Sequence, residues 1–306
     1  FTFTQIGFLL DCRAGIVKER SLLSYVLFVT FFPHLIAGPI LHHKEMMPQF
    51  AKRETYRFNF ENLSVGGMLF VIGLAKKVLL ADPIAPFADA GFAQPGELQF
   101  WTAWGTGLAY ALQLYFDFSG YSDMALGLAK MFGIRFPLNF NSPYKASSII
   151  EFWARWHMTL TRYLTAYLYY PVAMAVSNYR TRHNMPVGTK GVSTIGGFAA
   201  TIILPTAFTM GLAGIWHGAG LQFFIFGLLH AGYLSINHAW RIFVVGRTPA
   251  AERKDNWLKE AGYVLLTFAV VIIAQAFFRA ADTSDAVRLV EGMLGLRGFD
   301  SLPNVV

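Results

Sequence analysis

The sequence predicts an all-α, polytopic transmembrane protein, because it is poor in charge, rich in aromatic residues and arranged in long apolar runs. Hydrophobic residues make up 55% of the 306 residues and charged residues only 14%, whereas soluble domains average about 25% charged residues. The mean hydropathy is +0.43. The chain also carries 29 Phe, 13 Tyr and 7 Trp, which suit lipid contact and the membrane–water interface. A chain this apolar could not cover its own surface in water, so we expect it to lie in a bilayer.

Six apolar runs are long enough to predict membrane helices. The longest, residues 191–216, has 26 residues without a charge, and a helix of that length exceeds a hydrocarbon core of roughly 30 Å. Lipid offers the backbone no hydrogen-bond partner, so each span must be helical. Weaker spans are expected near residues 124–132 and 163–176, and helix breaks at Gly38-Pro39 and Pro48, since proline lacks an N–H. The six runs are residues 21–41, 63–81, 98–116, 191–216, 218–240 and 261–278.

The charge distribution and the cysteine content limit the possible topology and domain organisation. The net charge is +7, and basic residues gather in loops around residues 44–57, 180–190 and 241–259, which the positive-inside rule assigns to the cytoplasm. We interpret these loops as topology signals and not as nucleic-acid binding sites. A single cysteine, Cys12, excludes a disulfide framework and a cysteine metal site. We predict one membrane domain over residues 1–306, truncated at its N-terminus, because the chain opens inside an apolar stretch without Met.

His217 is the first candidate for chemistry within the apolar runs. It follows the longest run and stands among Gly211, Gly214, Gly218 and Gly220, and glycines allow a backbone or substrate to approach closely. A neutral imidazole can take a proton from a hydroxyl, as a general base does. A structural histidine at a helix break is an equally good interpretation of the pattern.

His157 is the second candidate, in the aromatic and basic stretch 150–162. Trp153 and His157 are four residues apart and would share one face of a helix, whereas Glu151 and Arg155 would form an intrahelical pair. The same mixture is typical of an amphipathic anchor at the membrane interface. We favour that interpretation for Arg155, but the bulky apolar neighbours of His157 leave a functional role open.

Other polar residues are less specific. Asp117 could cap a broken helix or line a polar cavity, and we prefer the cap. The adjacent His42 and His43 are interpreted as a loop feature, since neighbouring histidines rarely face one ion together. His230 and His238 are interpreted as core or interfacial histidines. We therefore expect no metal site.

Seven stretches together resemble the membrane-bound O-acyltransferase family, and most closely its bacterial branch of alginate O-acetylation proteins. They occur in the family's order and extend over nearly the whole chain, so the signal is specific as a set. The stretches are residues 1–6, 34–40, 47–50, 115–123, 139–144, 151–157 and 214–219.

The resemblance implies helices around a central tunnel and the transfer of an acyl group to a hydroxyl or similar acceptor. It places the catalytic histidine at His217 and a second functional histidine at His157, and we expect both to line one cavity. The donor would be a cytoplasmic thioester, acetyl-CoA or an acyl carrier, with no tightly bound cofactor. The residues expected to contact substrate are Trp216, Trp153, Trp156, Asn139, Asn141 and Asp117.

The resemblance also implies partners and a location. The acceptor would be an exported polysaccharide such as alginate, reached through periplasmic acetyltransferase proteins, and the protein would be a multi-pass component of a bacterial inner membrane. Membrane lipid is an expected partner and nucleic acid is not. Two alternatives stay open: transfer of D-alanine or another acyl group toward teichoic acid, and a transporter without chemistry.

Overall fold

The computed structural model describes residues 2–18, 21–35, 38–245 and 256–300. In these ranges the regular secondary structure is helical, and turns and irregular segments connect the helices. No strand occurs in these ranges, so the predicted all-α fold class is confirmed. The central tunnel stays a prediction. The α-helices are α1 Thr2–Arg13, α2 Leu22–Thr30, α3 His43–Phe50, α4 Phe60–Ala75, α5 Asp82–Ala93, α6 Phe100–Met131, α7 Ile149–Arg155, α8 Met158–Leu164, α9 Tyr170–Arg182, α10 Gly188–Val192, α11 Ile195–Phe198, α12 Leu204–His217, α13 Leu221–Ala239, α14 Trp257–Arg279 and α15 Thr283–Met293.

Three helical stretches are long and apolar enough to cross a membrane. They are Phe60–Ala93, Ile195–His217 and Trp257–Arg279, and they coincide with three of the six predicted spans. Phe60–Ala93 joins α4 to α5 through a π-helical turn, Lys76–Ala81, and Ile195–His217 joins α11 to α12 through another, Ala199–Ile203. The run 218–240 forms α13, which continues into a π-helical turn at Trp240–Val244.

Two of the predicted spans differ from the structure. Residues 21–41 do not form one long helix: α2 ends at Thr30, a 3₁₀ turn follows at Phe32–His34, and Gly38-Pro39 lies outside any helix as predicted. Pro33 explains the interruption, because proline cannot donate to the preceding turn. Pro48, by contrast, lies inside α3 and not at a helix break.

The run 98–116 was expected to stop at Asp117, but α6 continues unbroken to Met131. Its charges are paired along the way. Lys77 Nζ lies 2.7 Å from an oxygen of Asp117, and Lys76 Nζ lies 2.5 Å from an oxygen of Asp123. Pairing lowers the cost of carrying a carboxylate through an apolar region, so the carboxylates do not end the helix.

The chain divides into two compact units. Unit 1 comprises residues 1–86, 112–141 and 156–163, and unit 2 comprises residues 87–111, 142–155 and 164–306. The predicted single domain is not tested by this division and stays a prediction.

Close packing of α4 against α6 organises unit 1. A Cβ added at Gly73 would lie 2.5 Å from the carbonyl oxygen of Gly120, and one added at Gly66 would lie 2.6 Å from that of Gly127. The glycines therefore let two helix backbones meet directly, as small residues do in membrane helix pairs. A second cluster of buried side chains in unit 1 centres on Phe28, Met46 and Ile134.

Unit 2 is organised by the crossing of α12 and α13. A Cβ added at Gly214 would lie 3.2 Å from the backbone nitrogen of Gly227, and one at Gly227 would lie 3.0 Å from the carbonyl carbon of Met210. Backbones this close leave no room for a methyl group, so the end of α12 that carries His217 is held tightly against α13.

Candidate functional site

His157 lies in unit 1 at a break between two short helices. The helix α7 ends at Arg155 and α8 begins at Met158. His157 itself has φ 42°, the left-handed region that residues with a side chain rarely adopt. The prediction that Trp153 and His157 share the face of one helix is therefore wrong. Strained conformations of this kind persist where the surroundings hold them and cluster at functional sites.

A buried hydrogen-bond network holds the His157 turn. Its centre is Asn139, which is 2% exposed. The Asn139 Oδ1 atom lies 2.9 Å from His157 Nδ1 and accepts from Thr159 Oγ1 at 2.8 Å. The Asn139 Nδ2 group donates to Ser122 Oγ, and the Asn139 carbonyl accepts from the backbone N–H of Met158 at 2.9 Å. Asn139 therefore supports the turn, and the substrate contact expected of it stays a prediction.

This network determines which nitrogen of His157 carries the proton. An amide oxygen accepts hydrogen bonds and cannot donate them, so the 2.9 Å contact requires a proton on His157 Nδ1. In the neutral ring the lone pair then lies on Nε2. The ring also packs edge-on against Phe118, with centroids 4.8 Å apart. Nε2 is then the ring nitrogen that is chemically able to accept a hydrogen bond or a proton.

Three further predicted residues of unit 1 have different surroundings. Trp156 is buried and packs edge-on against Phe140, with ring centroids 5.1 Å apart. Asn141 is exposed. Asp117 does not cap a broken helix, because α6 is continuous there and its carboxylate pairs with Lys77.

His217 lies in unit 2 as the last residue of α12. Among the described residues its ring makes aromatic contacts and no hydrogen bond. The ring centroids of Trp216 and Phe278 lie 4.6 Å and 4.9 Å away, and that of Phe226 lies 6.1 Å away. Trp216 itself is 49% exposed. No hydrogen bond within the described part of the chain determines which ring nitrogen of His217 carries the proton.

Phe226 connects His217 to a second buried histidine, His230. The Phe226 ring lies 4.7 Å from that of His230, which is 1% exposed. Trp153 Nε1 donates to His230 Nδ1 at 3.3 Å. Trp153 is buried and its N–H donor is used within the protein, and the substrate contact expected of it stays a prediction. His230 is a core histidine, as the sequence suggested, but its link to His217 through one aromatic ring was not foreseen, since periodicity gives no information on that contact.

The helix α7 also confirms one local prediction. Arg155 lies 2.6 Å from a carboxylate oxygen of Glu151, one helical turn away. Glu151 additionally accepts from the backbone N–H and the hydroxyl of Ser147. Burial raises the pKa of the Glu151 carboxyl, but the Ser147 hydrogen bonds and Arg155 outweigh it, so the pKa is lowered overall.

The two candidate histidines belong to different units, His157 to unit 1 and His217 to unit 2. The expectation that both line one cavity therefore stays a prediction.

Known proteins place the chain in a family. The model of the membrane-bound O-acyltransferase family matches residues 10–182. That range includes His157 and ends before His217.

Similar proteins in bacteria cover most of the chain. The peptidoglycan O-acetyltransferase of Helicobacter pylori is 44% identical over 95% of the chain and 50% of its own length. The "Probable alginate O-acetylase AlgI" of Azotobacter vinelandii is 37% identical over 96% of the chain and 52% of its length. The teichoic acid D-alanyltransferase of Streptococcus thermophilus is 26% identical over 90% of the chain and 66% of its length.

The chain spans about half the length of the first two of these curated relatives. The resemblance seen in the sequence is confirmed by the family match, which covers more than half of the 306 residues. The chain therefore belongs to the membrane-bound O-acyltransferase family.

Proposed function

We propose that the protein is an acyltransferase that moves an acetyl group from a cytoplasmic thioester toward an exported polysaccharide. The observation that carries the proposal is the buried Asn139–His157–Thr159 network, which aims a basic nitrogen from a strained turn within the family-matched segment. Left-handed backbone conformations of residues with a side chain cluster at functional sites, which supports a functional role for His157.

The proposed reaction is a nucleophilic acyl transfer. The acceptor oxygen attacks the thioester carbonyl, a C–O bond forms, and the C–S bond breaks as the thiolate leaves. The proton of the acceptor hydroxyl goes to a histidine, which then returns it to the departing thiolate. The family's donors suit this scheme: acetyl-CoA or an acyl carrier supplies the thioester as a substrate, without a tightly bound cofactor.

His217 is the proposed general base. Its neighbours on either side along the chain, Trp216 and Gly218, cannot take a proton, and its ring packs against the rings of Trp216 and Phe278. Its ring orientation is set by packing, so a bound hydroxyl is free to approach either nitrogen.

The hydrogen bonds of His157 favour a positioning role over stabilisation of an oxyanion. Oxyanion stabilisation needs a donor, but in the neutral ring the single N–H is committed to Asn139. His157 Nε2 is suited to accept a hydrogen bond from a substrate hydroxyl or amide N–H. We therefore propose that His157 binds and orients a substrate group by accepting a hydrogen bond.

The acceptor is proposed at the level of polysaccharide classes. Alginate is the acceptor implied by the sequence resemblance. In this scheme the protein acts in the inner membrane, and periplasmic partner proteins pass the acetyl group on to the polysaccharide. Peptidoglycan is a second candidate, favoured by the 44% identity to a protein with that name against 37% for an alginate relative. D-alanyl transfer is a third and weaker alternative, from the 26% identity.

Thioester turnover by the purified full-length protein in detergent tests the proposal. With radiolabelled acetyl-CoA, we expect release of coenzyme A that depends on an acceptor, and label on either a short mannuronate oligomer or a soluble glycan strand from peptidoglycan. Label on one acceptor alone decides between the first two candidates. Label transferred only from D-alanyl carrier protein would favour the third, and no turnover of any thioester would overturn the enzymatic proposal.

A further inference from the structure

A buried carboxylate and two imidazoles converge in unit 1. Asp11 lies near the end of α1, and His42 and His43 lie at the start of α3. The Asp11 Oδ2 atom is 2.8 Å from His43 Nε2 and 3.3 Å from His42 Nε2. Ligand atoms of all three residues lie within 4.8 Å of one another.

Adjacent histidines can share a partner here because their rings lie side by side. The ring centroids of His42 and His43 are 4.4 Å apart with planes inclined by 31°. Both Nε2 atoms therefore point to the same oxygen of Asp11. Neighbouring side chains in an extended chain point in opposite directions, and the sequence alone therefore favours a loop feature over two histidines that face one ion. The helix start at His43, with His42 still extended, alters that geometry.

The charge of the cluster favours a cation. Asp11 and His43 are buried, at 6% and 5% exposure. Among the described residues, the ion-pair contacts of Asp11 are with these two histidines and with no lysine or arginine. A buried carboxylate without a charged partner is costly, and a divalent cation held by all three groups would offset that cost.

The spacing suits a first-row transition metal. Two imidazole nitrogens and one carboxylate oxygen are ligands that zinc and its neighbours accept. Bonds of about 2.0–2.1 Å in a tetrahedral site separate the ligand atoms by roughly 3.4 Å. The separations of 2.8 Å for His43 and 3.3 Å for His42 are shorter than this value by about 0.6 Å and about 0.1 Å.

We propose that Asp11, His42 and His43 bind a divalent first-row transition-metal ion such as Zn²⁺, which ties α1 to α3. Three protein ligands leave at least one coordination position for water. Coordination through His42 Nε2 places the ring proton on Nδ1, so the 3.2 Å contact in which Nδ1 accepts from the backbone N–H of Lys44 is given up. The site is independent of the proposed acyl transfer.

Cobalt binding tests this site directly. The full-length protein, purified without a histidine tag and stripped with a chelator, is titrated with Co²⁺ and then with Zn²⁺. We expect one equivalent of Co²⁺ to produce visible d–d absorption bands that Zn²⁺ abolishes. We also expect the Tm to rise with either ion.

Variants separate this site from adventitious binding. Asp11→Asn and His43→Gln should weaken metal affinity at least about 100-fold, and the partly exposed His42→Gln provides a variant less prone to misfold. His183→Gln is the matched control, because His183 is exposed and remote in sequence from the three ligands. Absent bands, or bands unchanged in His42→Gln and His43→Gln, would overturn the proposal. Acyl-transfer activity is not the readout, so failure here leaves the proposed function untouched.

Discussion

The turn around His157 and the helix end at His217 hold a histidine by opposite means. His157 is buried in a polar network, with its Nδ1 hydrogen committed to Asn139 and its backbone in a left-handed conformation. His217 is surrounded by Trp216, Phe226 and Phe278 and makes no hydrogen bond among the described residues. Polar contacts determine which nitrogen of His157 carries the proton, whereas the aromatic contacts of His217 leave its nitrogens without a hydrogen bond among the described residues.

The largest effect is expected at His217. His217→Gln keeps the size and hydrogen bonding of the side chain but cannot take up a proton at neutral pH. We expect thioester transfer by the full-length protein to fall about 10²–10⁴-fold, with protein yield and Tm close to those of the wild type. The exposed His183→Gln is the control. Near-normal transfer in His217→Gln would remove the general-base role from His217 and direct attention to His157.

Substitutions of Asn139 test the hydrogen-bond network that holds His157. Asn139→Leu leaves the buried donors of His157 and Thr159 without an acceptor, which costs about 1–3 kcal/mol for each unsatisfied group. We expect a lower Tm together with a loss of transfer. Asn139→Asp is the matched variant, since it retains the acceptor oxygen.

The Asn139→Asp variant should also change the pH dependence of the rate. A carboxylate beside His157 stabilises the imidazolium, so the acidic limb of the pH–rate profile should move to higher pH. An unchanged profile with an unchanged rate would show that His157 does not take part in the reaction.

The close packing of α12 on α13, which holds the helix end at His217, is tested at Gly214, three residues before His217. A Cβ there would meet the backbone of Phe223 and Gly227 on α13, so Gly214→Ala must push the two helices apart. Overpacking of this kind costs about 1–3 kcal/mol, and we expect reduced Tm and reduced transfer. Gly232→Ala is the control, because a Cβ at Gly232 has no neighbour within 4 Å. Equal Tm values for the two variants would contradict close backbone packing of α12 on α13.

A smaller effect is expected at Trp153. Trp153→Phe removes the hydrogen bond to His230 Nδ1 while keeping an aromatic ring in place. The net loss should be about 0.5–1.5 kcal/mol, measured as a reduced Tm, with a modest change in transfer transmitted through Phe226. Trp257→Phe, at a position 74% exposed, should change neither.

The smallest effect concerns Glu151, whose pKa is lowered in the folded protein. Its contribution to stability is complete above the ordinary pKa of a carboxyl group and is lost as the pH falls through the lowered value. The wild-type Tm should therefore exceed that of Glu151→Gln at neutral pH and approach it in acid. A constant difference between the two over that range would contradict the role of the Glu151 charge.

Much of the fold could be predicted because it depends on local composition. The runs 63–81, 191–216 and 261–278 are apolar throughout most of their length, and each lies in a helical stretch long enough to cross a membrane. The Glu151–Arg155 pair was also predictable, since a four-residue spacing places both side chains on one helix face. The end predicted at Asp117 was wrong, because Lys77, forty residues earlier, pairs with that carboxylate within the structure.

The sequence by itself determined the helical, membrane-embedded character of the protein and the two histidines that stand in its family motifs. Apolar length and local motif spacing are properties of neighbouring residues, and they survive without knowledge of the fold. Only the tertiary structure decided that Asn139 orients His157, that Phe226 joins His217 to His230, and that Asp11 meets His42 and His43. The contacts Asn139–His157, His217–Phe226 and Asp11–His42 join residues 18, 9 and 31 positions apart. No periodicity along the chain encodes which groups of different helices or turns the fold brings within hydrogen-bonding or van der Waals distance.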